Sequence, residues 1–484
     1  MKKIFAIVLS FALLFVTLFA CSGKNDISNV TVPKFEKSDG VKFTAYAGPT
    51  TGNWNGVSDN VDTLTDEHYQ KLAEAGFNKV IALYEGASSE IGTDTYDTIR
   101  KKSEKASEDA MKALALAEKY GLKYYVRDWS YYGLSKNFED ITTREQYERI
   151  ISGMFDENNE YIKSSAYCGN FGDDEPSTDK LEKIKWQVEL YNEQMAKNGV
   201  TNAETLVNLN PNYVGESSLG TSYREYIDKY FELLAPILKY VSFDFYPLRA
   251  DSSKGSLLRT TYLANLEMLA YRCKGTDVEL RGFVQTVGDY TGLRDMTGIA
   301  DIRFQVYTNM AFGAKEITYY EYGNFRGQEE GNFALFNLKD GTYNWTYDLV
   351  KKVNNEAHKM QDAYLNFDYD GIMCFSSLDE GVINTNFRSV EHKLASHDRI
   401  VSVEIENDAI MGAFKDDNGN DAFMLVNYTD PYFDLDNRVT IKFNDAKALL
   451  MYRFGEEVLV PLGRDGSYTF ELYPGEGRFI IPLS

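Results

Sequence analysis

Three acidic patterns carry the chemistry open to this chain. Asp173, Asp174 and Glu175 run consecutively and are closed by Pro176; Asp244 stands in Phe243-Asp244-Phe245-Tyr246-Pro247; Glu321 lies between Tyr320 and Tyr322. A carboxylic acid can protonate a glycosidic oxygen, a second carboxylate can face the anomeric carbon, and flat rings can stack on sugars. Repulsion from the two preceding aspartates favours the protonated form of Glu175, which suits a proton donor. The second carboxylate is Glu321 or Asp244. A separation of about 5–5.5 Å would mean retention of configuration and about 6.5–9.5 Å inversion. Asp174, Asp244, Tyr246, Gln285, Asn210, Tyr213, Tyr320, Trp54 and Trp129 are the expected sugar contacts. The structural alternatives are a bond from Asp244 to Arg249 and one from Glu321 to Arg326.

Other chemistries lack their parts. The chain has 484 residues but only four histidines, and neither His nor Lys stands among these candidates. Ser–His nucleophilic chemistry, Schiff-base lysine chemistry and histidine-rich metal sites are therefore set aside, and no metal or cofactor is expected. With 51 Lys and Arg against 73 Asp and Glu, the net charge is −22, a field that repels nucleic acid and anionic lipid heads.

These residues need elements to position them, and the middle of the chain supplies a strand–helix rhythm. Helical patterns at 65–75, 107–120, 181–198 and 302–312 each stop at a glycine (Gly76, Gly121, Gly199, Gly313), and a β-rich run follows. Eight strands are expected at Val41–Ala47, Lys79–Tyr84, Leu122–Arg127, Ala166–Gly172, Thr205–Leu209, Val241–Tyr246, Glu279–Thr286 and Glu316–Tyr320. Helices are expected between them, among others at Thr143–Lys163, Tyr223–Leu238 and Ser256–Tyr271, with a long one at Tyr343–Tyr364 closing the series. This α/β alternation predicts a (β/α)8 TIM barrel over residues 41–368, with function collected at the C-terminal ends of its strands. The acidic patterns fall at the ends of strands four, six and eight.

The quoted motifs resemble a known clan. Asp174-Glu175-Pro176 at the end of strand four is similar to the Asn-Glu-Pro of retaining (β/α)8 glycosidases, whose glutamate is the acid/base. The runs 241–247, 283–285 and 312–320 look like a branch related to family 42 β-galactosidases. The resemblance implies an O-glycosyl hydrolase with Glu175 as acid/base. Two positions depart from it: Asp174 replaces the asparagine that bonds the sugar 2-hydroxyl, and Gln285 stands where the strand-seven nucleophilic glutamate belongs. An amide is a poor nucleophile. Either Glu321, one strand on, replaces it, or the protein uses another geometry, or the chain is a non-catalytic glycan-binding lipoprotein that keeps a glycosidase barrel.

Beyond residue 369 the texture changes to short alternating strands, between Ile372 and Ile481, separated by turns such as Asp417-Asn418-Gly419. An all-β sandwich is expected over 369–484. Asp416–Asp421 lacks the glycine and terminal glutamate of a calcium loop and reads as a hairpin turn. At the other end, Lys2-Lys3 precedes an apolar run to Ala20 and then Cys21, the pattern of a lipoprotein signal over 1–21 with Cys21 as the acylated residue. Residues 22–40 read as a polar tether. Extracellular placement, with the membrane touched only through the lipid, follows as an expectation, as does an oligo- or polysaccharide partner. Cys168, Cys273 and Cys374 have no CxxC spacing and are expected to be reduced thiols.

Overall fold

The computed structural model describes residues 23–50, 61–82, 96–136, 138, 141–288, 292–324, 334–377 and 385–484, with the backbone alone at 96–107, 129 and 385. The signal segment, Cys21, Trp54 and Arg326 lie outside them, as does the side chain of Trp129.

Eight parallel strands close a barrel. They are β1 (Lys42–Ala45), β2 (Lys79–Ile81), β3 (Lys123–Val126), β4 (Tyr167–Asp174), β5 (Glu204–Leu209), β6 (Tyr240–Phe243), β7 (Glu279–Gln285) and β8 (Glu316–Tyr320). The ring order is β1-β8-β7-β6-β5-β4-β3-β2, so β8 stands opposite β4. Gly76, Gly121, Gly199 and Gly313 have φ between 71° and 83°, the left-handed conformation that stops each helix before its strand.

The N-terminal end of the barrel is plugged by charge. Lys79 pairs with Glu316 at 2.7 Å, Arg281 with Glu204 at 2.5 Å, and Thr44 donates to Glu316 at 2.6 Å. Burial alone would raise the Glu316 carboxyl, but Lys79 and Arg281 outweigh it and hold the group down at about 2. These ion pairs fill this end of the barrel.

After a long helix, Trp345–Leu365, come nine antiparallel strands: β9 (Asp368–Phe375), β10 (Ile400–Ile405), β11 (Ala409–Lys415), β12 (Asp421–Asn427), β13 (Asn437–Phe443), β14 (Ala448–Arg453), β15 (Glu456–Pro461), β16 (Ser467–Leu472) and β17 (Gly477–Leu483). They form a six-stranded sheet, β9-β11-β12-β17-β14-β15, and a three-stranded one, β10-β13-β16, around a shared apolar core. This is the expected sandwich, with β15 as the strand the sequence pattern did not reveal. The larger sheet packs on the barrel helix Ile299–Ala311 so closely that a Cβ on Gly412 would fall 2.0 Å from the Ala311 carbonyl oxygen. Asp416 accepts from the Asn418 and Asn420 amides in the turn joining β11 to β12, as a hairpin requires.

Two expectations are corrected. Residues 255–258 are not helical: Gly255–Leu258 pairs antiparallel with Leu248–Asp251 as a hairpin, and the helix begins at Tyr262. The paired strand contributes hydrogen bonds that local periodicity cannot reveal. Nor is the 22–40 segment a loose tether over its described part. Asn25 donates to the Leu462 carbonyl at 2.9 Å, Phe35 packs on Phe367, and Ser38 donates to Asp362 at 2.9 Å. Cys168, Cys273 and Cys374 are free thiols.

Candidate active site

Three neighbouring strand ends bring acids together at the open mouth. β4 ends at Asp174, and the next residue, Glu175, takes φ 55°, a left-handed turn that costs a non-glycine residue about 1 kcal/mol or more. A bond from its N–H to the Asn208 carbonyl, 2.8 Å, holds the turn. Glu175 is exposed on the surface of the mouth.

Asn208, near the end of β5, joins the acids. Its amide nitrogen donates to Asp174 (3.3 Å) and to Asp244 (3.2 Å), and its oxygen accepts from Ser242 at 2.9 Å. Asp244, just past β6, is buried. Burial first, then the negative charges of Glu175 and Asp174, push its carboxyl well above the usual carboxylate range, against the Asn208 bond. The alternative bond from Asp244 to Arg249 is not formed; Asn208 is its partner. Asp173 points the other way: it pairs with Lys136 at 2.7 Å and accepts from Ser135. Burial outweighs these partners and raises it to about 6.

An aromatic floor borders the acids. The Tyr46 and Tyr320 ring centroids are 5.7 Å apart and those of Tyr320 and Tyr246 are 5.1 Å apart. Tyr46 donates to Asp174 at 3.4 Å and accepts from Arg127 at 3.0 Å. The buried Arg127 guanidinium lies 4.6 Å from both the Tyr132 and Phe171 ring centres and 4.0 Å from Asp174. Asp174 therefore sits between a cation, a phenol and an amide, ready to accept from a ligand hydroxyl.

Glu321 follows β8 across a cis peptide from Tyr320, and its backbone is bonded in both directions to the Thr286 hydroxyl at 2.9 Å. Only 1% of it is exposed. The next residue, Tyr322, shares a buried triangle with Tyr343 (2.8 Å) and His68 Nδ1 (3.0 Å).

Gln285 requires a correction. Expected to touch sugar, its side chain is fully buried and accepts from the Leu248 N–H at 3.0 Å. Its amide nitrogen faces the carbonyl oxygens of Leu248 (3.3 Å), Val287 (3.3 Å) and Arg294 (3.4 Å). Backbone claims this amide, so it clamps the loop after β6. Asn210 is likewise buried and donates to the Pro176 carbonyl at 3.3 Å, bracing the loop that carries Glu175. Tyr213 is 41% exposed at the rim, its ring covered by Arg259 at 3.6 Å. Arg127, Tyr46 and Arg259 were not nominated from sequence; a charged residue closing a strand, as Arg127 follows β3, is the signal that marks such a group.

No family model matches this chain, and no curated protein matches it. Solved structures do. An endo-β-1,4-mannanase from Thermotoga petrophila is 10% identical, with 90% of this chain and 92% of that one covered and a TM-score of 0.42. A β-galactosidase from the psychrophilic Marinomonas ef1 is 12% identical over 66% of this chain and 60% of that one, TM-score 0.43. An arabinofuranosidase from Xanthomonas axonopodis pv. citri is 9% identical over 92% and 95%, TM-score 0.44. Likenesses at this level say nothing of residues in the site.

Proposed function

We propose that this chain is a glycoside hydrolase that uses Glu175 as its general acid/base. The observation that carries this reading is the acid cluster at the barrel mouth: Asp174, Glu175 and Asp244 share one polar network through Asn208 and mutual charge, beside an aromatic floor. Breaking a glycosidic bond requires a proton for the leaving oxygen and a negative charge near the anomeric carbon. Glu175 is the exposed member and the one a glycosidic oxygen can reach. Asp244, held toward its protonated form, is a poor nucleophile and a good hydrogen-bond donor to substrate. The nucleophile role therefore passes to Glu321, on the strand opposite β4. Asp174, steadied by Tyr46 and Arg127, binds a sugar hydroxyl, and Tyr46, Tyr246 and Tyr320 offer rings to the sugar face.

The test is a screen on aryl and natural glycosides with the wild type, Glu175→Gln and Glu321→Gln. Loss of general-acid help in Glu175→Gln lowers turnover by roughly 10²–10⁴-fold for poor leaving groups. It spares glycosylation by an activated aryl glycoside, whose phenolate leaves without a proton. Glu321→Gln abolishes turnover of both. If Asp244→Asn abolishes turnover while Glu321→Gln does not, the nucleophile is misassigned.

Gln285 favours a second reading, a glycan-binding protein without catalysis, because the position where the resembling clan keeps its nucleophile is locked into backbone bonds. Glycan retention with no turnover in the whole screen selects it. For placement, the signal pattern supports a surface lipoprotein acylated at Cys21. Cys21→Ser then moves the protein from the membrane to the soluble fraction or blocks its maturation; unchanged membrane retention refutes the anchor.

A further inference from the structure

We propose that the hairpin at the barrel mouth, Leu248–Asp251 and Gly255–Leu258, presents Arg249 and Arg259 as an anion subsite that selects saccharides bearing a carboxylate or a sulfate. This rests on the carbohydrate reading above. Leu248 pairs with Leu258 and Arg249 with Leu257, while the Arg259 N–H donates to the Pro247 carbonyl at 2.9 Å. Side chains alternate across such a ribbon. Leu248, Ser256 and Leu258 therefore share the inward face, and Arg249, Leu257 and Arg259 the outward one. Leu248 and Ser256 are buried and Leu257 is exposed, while Ala250, paired with Ser256, is exposed and Arg249 and Arg259 are half-buried.

The arginines of this region divide by partner. Arg294, beneath the hairpin, donates to Ser256 at 2.7 Å, is paired with Asp301 at 2.5 Å and reaches Asp430 of the sandwich domain at 3.5 Å. Neither Arg249 nor Arg259 has an ion pair among the described residues, in a chain with an acid excess of 22 charges. Arg259 lies over Tyr213, 3.6 Å from its ring centre. Stacking uses the face of a guanidinium and leaves its in-plane N–H groups for a forked acceptor. Arg249 rests against Gly292, where a Cβ would fall 2.7 Å from its nitrogen.

Tyr213 ties these cations to the acid cluster. Burial, then the Asp244 charge, push its hydroxyl up, Arg259 opposes them, and Glu175 and Arg249 act on it as well. The Tyr213 ring also packs edge-on against Phe245, the chain neighbour of Asp244, with centroids 5.2 Å apart, so Arg259 stands on the β6 side of the mouth. The hairpin is also preorganised. Gln285 bonds both the N–H and the carbonyl of Leu248, and Gly255 approaches Tyr432 so closely that a Cβ would fall 2.4 Å from its hydroxyl. An overall negative chain repels anions at long range, so an acidic sugar is captured here by close pairing rather than steering.

The experiment is a glycan array of neutral, uronate-containing and sulfated glycans, probed with the processed protein and with the double variant Arg249→Gln/Arg259→Gln. Each retained glycan is then titrated beside its carboxyl-reduced or desulfated form, which separates the two anion types. The expected result is retention of acidic glycans, weakened about 10- to 100-fold by the double variant or by removal of the anion. Thermal midpoints check that the variant is folded; if it is not, the neutralised glycans on wild type decide alone. Retention of neutral glycans only, of no acidic glycan, or equal affinity in the two proteins overturns the subsite. Arginine-dependent binding without turnover sinks hydrolysis and leaves the subsite standing. Glycoside turnover together with acidic-glycan binding that the double variant leaves unchanged does the reverse.

Discussion

Gln285→Glu asks whether the end of β7 is open to substrate or built into the scaffold. The substitution replaces one nitrogen by oxygen, with almost no change in shape. In the native chain that nitrogen faces three carbonyl oxygens at 3.3, 3.3 and 3.4 Å, and the residue has 0% exposure. An ionised carboxylate would set negative charge against three carbonyl dipoles without water; only the neutral acid, which donates one bond, fits. The folded-state pKa of the new carboxyl group is therefore raised above the value of about 4.3 it has when unfolded. Below that pH both states are protonated and the variant differs from wild type only by the lost amide bonds. As pH rises the unfolded chain releases its proton first, so stability falls by up to about 1.36 kcal/mol per pH unit until the folded-state pKa is passed. A rise of two to three units, ordinary for a buried acid, gives a deficit of about 3–4 kcal/mol near neutral pH. Urea unfolding of the variant and wild type from about pH 4.5 to about pH 8 measures the difference, with equal m values required. A variant as stable as wild type at the alkaline end, or one that gains glycosidase turnover, refutes the clamp and reopens β7 as the nucleophile position.

Two further outcomes follow from the titrating groups. Glu316→Gln strands Lys79 in the closed end of the barrel, while Arg281 keeps Glu204, and is expected to cost about 3–5 kcal/mol. Because Glu316 is held at about 2, below its ordinary 4.5, its contribution is present above pH 4.5 and lost as pH falls toward 2. The variant's acid-unfolding curve is therefore flatter, and an unchanged curve contradicts the ion cluster. His68, which burial lowers from 6.5 to about 4, stays neutral in the fold while the unfolded chain takes up a proton. Stability falls by about 3 kcal/mol between those values, and His68→Gln removes that slope in a pH series of thermal midpoints.

What the sequence determined by itself is whatever rests on short-range pattern. Helix stops at Gly121 and Gly199, the β-branched run of Glu316–Tyr320 and the short apolar run of Ala409–Lys415 act over a few residues, so the barrel and the sandwich were both legible. So was the placement of Asp174, Glu175 and Asp244 at strand ends, because a barrel strand has only one functional end. Roles were a different matter. Gln285 and Asn210 have the residue types of sugar ligands, yet partners 37 and 34 positions away in the chain claim them for backbone. Arg127 joins the site through Tyr46, 81 residues away, and Ser256 leaves a helical pattern because Ala250 is there to pair with it. The titration of Asp244 is decided in the same way, by charges from another strand and by burial that neither strand has alone. Local sequence fixes the direction of a strand and the type of its last side chain. Which hydrogen bonds and charges meet that side chain depends on chain closure, and only the tertiary structure brings those groups together.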